Sequence, residues 1–156
     1  MLTREYVTDL IHGHVAGFPA LEAGEVSSQV IEAEGLDAIL ELLRNLRTVS
    51  FPCVVLEGRS SGSLQLVEGP LDTYTESLWV MCQFGREESE AACYDAAFRI
   101  MVAILKHLIA DSAHCPAALV GWDWTRTNYM KRYGGQNARG WEMVLTFREN
   151  VSLLID

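Results

Sequence analysis

Two histidines and one aspartate are the residues whose chemistry would suit proton transfer. His107 lies in a long apolar segment, His114 follows it, and Asp123 stands between Trp122 and Trp124. Together they contain an acid and a base, but no spacing in the sequence brings them to one place. The strained nucleophile turn G-x-S-x-G is also absent from the chain. The sequence therefore favours a protein that is not an enzyme and has no catalytic residues.

The remaining histidines and the cysteines are the residues that could bind a metal. His12 and His14 are two apart, which places side chains on one face of a strand but not of a helix, and the segment around them has a helical pattern. The four cysteines form neither a C-x-x-C pair nor a zinc-finger spacing. The sequence predicts no metal site and no cofactor. We expect buried, reduced thiols at Cys53, Cys82, Cys93 and Cys115.

A basic segment near the C-terminus is the most specific local signal. Lys131, Arg132 and Arg139 flank a Gly-Gly pair with no acidic residue between them, and Tyr133 lies among them, in a chain whose net charge is -9. Such a hairpin tip could bind an acidic patch on another copy of the chain, stack on a base or hold a phosphate, or be a solvated loop. The acidic remainder favours the protein partner and argues against general or sequence-specific binding to nucleic acid.

The elements that must position these residues include one long helix. Apolar residues recur at spacings of three and four over residues 87–111, which predicts a helix of about 37 Å. Acidic residues at its start, and Lys106 and His107 near its end, oppose the helix dipole. Two shorter helices are predicted before it, over residues 3–14 and 36–47. The buried stripe of the long helix is predicted to be Cys93, Ala96, Ala97, Ile100, Met101, Ile104, Leu105 and Leu108.

The strand predicted before the long helix, over residues 71–84, has apolar side chains on both faces. Leu78, Val80 and Cys82 alternate there with Trp79 and Met81. A sheet with one face in water would not need Trp79 and Met81, so either the shorter helices or a neighbouring subunit should cover the second face. The candidate interface residues are Trp79, Met81, Lys131, Arg132, Tyr133 and Arg139.

The other strands are shorter or follow the long helix. Residues 54–56 are a β-branched and apolar run, and residues 140–149 alternate cleanly with Trp141 and Phe147 inward. Residues 59–63, RSSGS, lack the GK[ST] ending of a phosphate loop and are predicted to be a flexible turn. An alternative function is a small-molecule-binding or enzymatic domain with an aromatic pocket near the last hairpin, lined by Trp122, Trp124 and Tyr129.

Length and composition bound the class of protein. A chain of 156 residues, 49% hydrophobic and 21% charged, is expected to be a single folded domain. No apolar run reaches the 18 or so residues of a membrane span, and the N-terminus lacks a signal-peptide pattern, so we expect a cytoplasmic protein without membrane partners. The predicted fold is α+β, with a mainly antiparallel four- to five-stranded sheet packed on one long helix and two shorter N-terminal helices.

The element order resembles a known group of virus proteins. The strand FPCVVLEG at residues 51–58, the strand ending in LWVMCQF at 78–84, the long helix and the final strand GWEMVLTF at 140–147 resemble the tail terminator and minor tail proteins of long-tailed bacteriophages and prophages. The resemblance implies an antiparallel sheet packed on helices and assembly into rings, commonly of six. It also implies a structural protein without catalysis that joins other tail or neck proteins. Trp79, Met81 and the basic tip would then meet ring neighbours.

Overall fold

Three long strands form the centre of the sheet, and two of them come from stretches of alternating side chains in the sequence. The computed structural model describes residues 4–5, 7–8, 30–44, 52–83, 85, 89–112, 119–122, 127–134 and 138–151. The three long strands, Cys53–Gln65, Leu71–Gln83 and Ala138–Asn150, each have 13 residues. In chain order the elements are β1 (Val30–Glu32), α1 (Leu36–Arg44), β2 (Cys53–Gln65), β3 (Leu71–Gln83), α2 (Glu90–Ser112), β4 (Leu119–Trp122), β5 (Asn128–Tyr133) and β6 (Ala138–Asn150).

The strands form one mixed sheet that is five positions wide. Its order is β1-β2-β3-β6-β4, and β5 also pairs with β6. β4 pairs with residues 147–149 of β6 and β5 with residues 139–144, so these two short strands follow one another along the same edge. β1 is parallel to β2, whereas the other described pairs are antiparallel. The α+β class is therefore confirmed, but the sheet formed by the described residues has six strands and is mixed.

The predicted helices agree with the structure in part. The long helix is confirmed as α2. The helix predicted over residues 36–47 is confirmed as α1 over residues 36–44, and residues 45–47 lie outside the described residues. Residues 4–5 and 7–8 are helical, and the rest of the helix predicted over residues 3–14 lies outside the described residues. Ser89 caps α2, since its hydroxyl accepts a hydrogen bond from the backbone N–H of Ala92 at 3.1 Å.

Helix α2 covers one face of the sheet with the stripe that its sequence spacing indicates. Cys93, Ala97, Met101, Ile104 and Leu108 are buried against β3 and β6. The prediction that Ala96 belongs to this buried stripe was wrong. The stripe is rotated toward Tyr94, which is buried, and Ala96 is exposed to solvent. His107 is also buried, and α2 continues past it to Ser112, so no basic residue occupies its last turn.

Helix α1 covers the opposite face of the sheet, and this corrects the assignment of Trp79 and Met81 to an interface. Both side chains are at most 1% exposed and form one cluster with Ile39 and Leu43 of α1. The alternation along β3 is as predicted, but the second face is filled within one chain. A neighbouring copy has no access to these two side chains, because α1 already packs on them.

The segment RSSGS is part of β2, so the prediction of a flexible turn there was wrong. Residues 59–63 pair with residues 73–76 of β3. One register shift lies between Leu56 and Gly58, whose φ is positive at 83°, and a second lies between Arg59 and Ser61. The hydroxyls of Ser60 and Ser61 lie 3.0 and 2.9 Å from the hydroxyl of Thr75. Because cross-strand hydroxyl pairs stabilise a sheet, serine-rich sequence can continue a strand here. The turn of this hairpin lies instead between Gln65 and Leu71.

The basic residues near the C-terminus lie in strands, so the predicted extended basic tip was also wrong. Lys131, Arg132 and Tyr133 belong to β5, and Arg139 belongs to β6. The two strands are paired up to Tyr133 and Arg139, so these residues are not in a loop.

Gly140 shows how closely β6 approaches β3. A Cβ atom at this position would lie 1.9 Å from the carbonyl oxygen of a β3 residue, so only glycine fits.

The cysteines that the structure describes are buried thiols, as predicted. Cys53, Cys82 and Cys93 are free and buried. The Cys93 thiol donates to the Cys82 carbonyl oxygen at 2.9 Å, and burial raises the pKa of Cys53 to about 12. Cys115 lies outside the described residues. These thiols are small parts of the core and are not placed to ligate a metal.

Candidate interaction surface

Strand β5 lies at the outer edge of the sheet and presents two different sides. It pairs with β6 so that Lys131 is opposite Trp141 and Met130 is opposite Glu142. Since paired residues of an antiparallel ladder point to the same face, odd-numbered residues of β5 lie on the α2 face and even-numbered ones on the α1 face. No described strand lies beyond β5, and most of its side chains are exposed. Its outer backbone groups can therefore pair with a further strand.

Four aromatic rings from α2, β5 and β6 pack together on the α2 side of this edge. The ring of Trp141 lies 5.6 Å from that of Tyr94, 5.8 Å from that of Phe98 and 5.5 Å from that of Tyr129. Phe98 and Tyr129 are 5.6 Å apart, and all four pairs meet edge to face. The rings thus fill the space between α2 and β5 with one another, and Tyr129 keeps half of its surface exposed.

Lys131 lies over this aromatic cluster and is the exposed cation of β5. Its Nζ lies 4.7 Å from the ring centroid of Tyr94 and 5.8 Å from that of Trp141. These contacts hold the charge on the α2 side through cation–π attraction. Within the part of the chain that the structure describes, no carboxylate pairs with Lys131. Its charge is therefore free to meet an acidic group of another molecule.

The two arginines of the basic segment are neutralised within the chain. Arg132 donates through Nε to a carboxylate oxygen of the buried Glu142 at 2.9 Å, and its guanidinium lies 5.0 Å from the ring of Trp79. Arg139 donates to Glu90 at 2.8 Å and lies 4.8 Å from the Tyr133 ring. A buried carboxylate needs a cationic partner, so the role of Arg132 is to stabilise the fold rather than to bind a ligand. Of the predicted basic set, Lys131 alone keeps an uncompensated charge among the described residues.

A second exposed apolar group lies at the end of the β2–β3 hairpin. Leu64, Leu66 and Val67 are each more than 60% exposed. With Tyr129, Met130 and Tyr133 of β5, they make up six of the seven exposed large apolar side chains among the described residues, and the seventh is Leu36 at the start of α1. Grouped exposed apolar residues mark interaction sites more often than scattered ones do.

A polar network at the base of this hairpin was not anticipated from the sequence. Arg59 donates to Asp72 at 2.6 Å and its guanidinium lies 3.7 Å from the centroid of the Tyr74 ring. The Tyr74 hydroxyl donates to Glu149 of β6 at 2.6 Å. The signal in the sequence was the spacing of two that puts Asp72, Tyr74 and Glu76 on one face of β3. The network joins β2, β3 and β6 and so fixes the direction of the hairpin.

Electrostatics within this network support a structural role. The pKa of Tyr74 is raised, mainly by burial and then by its hydrogen bond to Glu149. Burial acts to raise the pKa of Glu149, but the Tyr74 hydrogen bond and the Arg59 charge oppose it, and the net direction is downward. A proton thus stays on Tyr74 and a negative charge on Glu149, which is the arrangement that keeps their hydrogen bond. Tyr74 and Glu149 therefore stabilise the fold by their mutual hydrogen bond rather than acting on a substrate.

The alternative aromatic pocket cannot be assembled from the described side chains. Trp122 is in β4 by its backbone, while its side chain and all of Trp124 lie outside the described part. Tyr129 belongs to the packed ring cluster. The acid–base candidates Asp123 and His114 lie outside the described residues as well, as do His12 and His14.

Comparisons with known proteins give no family for this chain. No protein-family model matches it, and neither does any curated protein. Among the described residues, no group of three or more histidine, cysteine or acidic side chains could hold a metal ion. None of the described helices has the length and apolar character needed to cross a membrane.

Proposed function

We propose that this chain is a self-assembling structural protein of a phage or prophage tail, of the tail terminator or head–tail joining type, and that it forms a ring. The observation that carries this proposal is the distribution of exposed large apolar side chains. They gather on the edge strand β5 and at the end of the β2–β3 hairpin, while α1 and α2 cover the two faces of the sheet. A protein with closed faces and apolar edges is suited to contacts with other protein chains.

The edge strand supplies the lateral contacts of the ring. Tyr129, Met130 and Tyr133 are half-exposed on β5, beside backbone groups that no described strand satisfies. Proteins with an exposed edge strand either protect its backbone groups from other chains or use them to pair with a further strand. The aromatic cluster fills the space behind β5, which supports a packed contact surface rather than a ligand cavity.

The hairpin supplies the contact with other tail or neck proteins. Leu64, Leu66 and Val67 lie beyond the hydrogen-bonded network around Arg59 and Tyr74, and they are exposed, so they can enter an apolar site on a neighbouring ring. The net charge of -9 suits a channel through which DNA passes without binding, because phosphates are repelled by an acidic surface. The proposed role is mechanical and involves no catalysis, no cofactor and no sequence-specific nucleic acid binding.

A single charge placed on the edge strand tests this function. Tyr133→Glu puts a carboxylate among the exposed apolar residues of β5, and we expect it to abolish ring formation without loss of folding, because Tyr133 is 60% exposed and is paired with Arg139 of β6. Ala96→Glu, on the solvent side of α2, is the matched control and should assemble normally. The readouts are electron microscopy of negatively stained particles and sedimentation velocity. Rings that form equally well with both variants would contradict the proposal.

A further inference from the structure

We propose that β5 of one copy pairs with β1 of the next, so that the sheet continues from copy to copy around the ring. This inference rests on the proposed function and specifies its lateral contact. β1 and β5 lie at opposite edges of the sheet, and neither has a described strand on its outer side. Strands at both edges thus have backbone donors and acceptors available for a partner.

Strand direction makes this pairing compatible with a closed ring. β1 runs parallel to β2, and three antiparallel steps lead from β2 through β3 and β6 to β5. β5 therefore runs opposite to β1, so the two can form an antiparallel ladder when neighbouring copies have the same orientation. A contact between two different surfaces of identical chains propagates head to tail, and it closes into a ring when the rotation between copies allows.

Charge selects β1 as the occupant of the β5 edge. Lys131 is exposed on the α2 face of β5, whereas β1 and the start of α1 expose acidic side chains. If two β5 strands paired with each other across a two-fold axis, two lysines would be brought close together, and like charges oppose association. Pairing with β1 places Lys131 beside opposite charges. Glu32 of β1 and Glu34 just beyond it are exposed, and Asp37 and Glu41 of the following helix are exposed as well.

The faces of the sheet fix a register for the pair. Val30 is buried against the α2 side of the sheet, so Glu32, two residues further along β1, belongs to the same face as Lys131. Placing Lys131 opposite Glu32 in an antiparallel ladder brings Tyr129 opposite Glu34, where the phenol can donate to a carboxylate. Leu36 adds exposed apolar surface at the same edge.

Charge exchange between the two edges tests the pairing. The first variant is Lys131→Glu and the second is Glu32→Lys/Glu34→Lys, and all three positions are exposed. Each variant alone should raise the concentration at half-assembly at least about tenfold, because like charges then meet at every contact. An equimolar mixture should recover assembly to within about threefold of the wild type, since each altered edge then finds an edge of opposite charge. Analytical ultracentrifugation measures these concentrations, and circular dichroism checks that each variant is folded.

Matched controls and a second substitution keep the outcomes distinct. Lys106→Glu and Asp95→Lys change charges of the same signs at exposed positions of α2, on neither edge, and should leave assembly unchanged. If Lys131→Glu does not fold, Lys131→Gln should weaken assembly by a smaller factor. Two-copy particles in the mixture would indicate pairing between β5 strands and would overturn the inference. The inference would also be overturned if either charge variant assembled as well as the wild type. Rings formed by that variant would still support the proposed function. A wild-type chain that never assembles contradicts both.

Discussion

Replacing Trp79 by alanine tests whether α1, rather than a neighbouring copy, covers the second face of the sheet. Trp79 is 1% exposed and belongs to one cluster with Ile39 and Leu43 of α1. Truncating a buried aromatic side chain to alanine costs about 3–5 kcal/mol of stability, because it removes apolar burial and leaves a cavity. If α1 covers Trp79 within one chain, that loss must appear in the isolated monomer.

Polar contacts of the indole ring add to this loss. The Nε1–H of Trp79 donates to the Glu57 carboxylate at 3.2 Å, and the Arg132 guanidinium lies 5.0 Å from the ring centroid. Such contacts contribute about 0.5–1.5 kcal/mol each where they are partly exposed. We expect a total loss of about 4–8 kcal/mol for Trp79→Ala. Trp79→Phe keeps most of the volume and should cost about 1–2 kcal/mol.

The assay is urea unfolding followed by circular dichroism in the Lys131→Glu background, which we expect to be monomeric. The free energy of unfolding should fall by the stated amount and should not depend on protein concentration, because every contact is within one chain. Leu64→Ala, at a 63% exposed position, is the control and should change the free energy by less than about 0.5 kcal/mol. A loss below about 1 kcal/mol for Trp79→Ala, or one that grows with protein concentration, would refute the assignment of Trp79 to the core.

Three further substitutions or treatments test the packing and the electrostatics. Gly140→Ala should destabilise the chain by about 3 kcal/mol or more, because its Cβ would lie 1.9 Å from a carbonyl oxygen, whereas Gly85→Ala meets nothing within 4 Å and should be near neutral in the same urea titration. Tyr74→Phe should cost about 1–2 kcal/mol at pH 7. The pKa of Glu149 is lowered in the fold, so this carboxylate stabilises the fold above its unfolded pKa of about 4.3 and loses that effect as pH falls through its lower folded pKa. The cost of Tyr74→Phe should therefore shrink as pH falls below the unfolded value. A cost that stays constant from pH 7 to the onset of acid unfolding would contradict the role of the hydrogen bond. Iodoacetamide at pH 8 should leave Cys53 unmodified in the native protein, since burial raises its pKa to about 12, and peptide mass spectrometry showing rapid native labelling would oppose its burial.

Elements with a strong internal period could be predicted from the sequence alone. The stripe of α2 and the alternation of β3 and β6 lie in single segments, so each fixes its own element. The burial of Trp79 could be predicted because both faces of β3 carry apolar side chains, and a strand with one face in water would carry polar side chains on that face. Which element covers it depends on the path of α1 across the sheet, and no local pattern records that path.

The basic segment shows why the candidate site could be predicted only in part. Its charges suggested a free tip, but Arg132 and Arg139 are neutralised by Glu142 and Glu90, which no rule of local spacing connects with them. Ion pairs between distant residues depend on strand register, and register follows from the whole sheet. β1 was missed for a similar reason, since a three-residue parallel strand has too few residues to show a period. Its importance arises from its position at the edge opposite β5.

The mass of the purified chain in solution tests the central claim of self-assembly most directly. Light scattering across a range of concentrations and at two salt levels gives this mass without labels or partners. The proposed ring predicts a closed species of several copies, near six times the 17.4 kDa of one chain, whose formation weakens as salt screens the charges of Lys131 and the acidic edge. A mass of one chain at every concentration and at both salt levels would contradict the account.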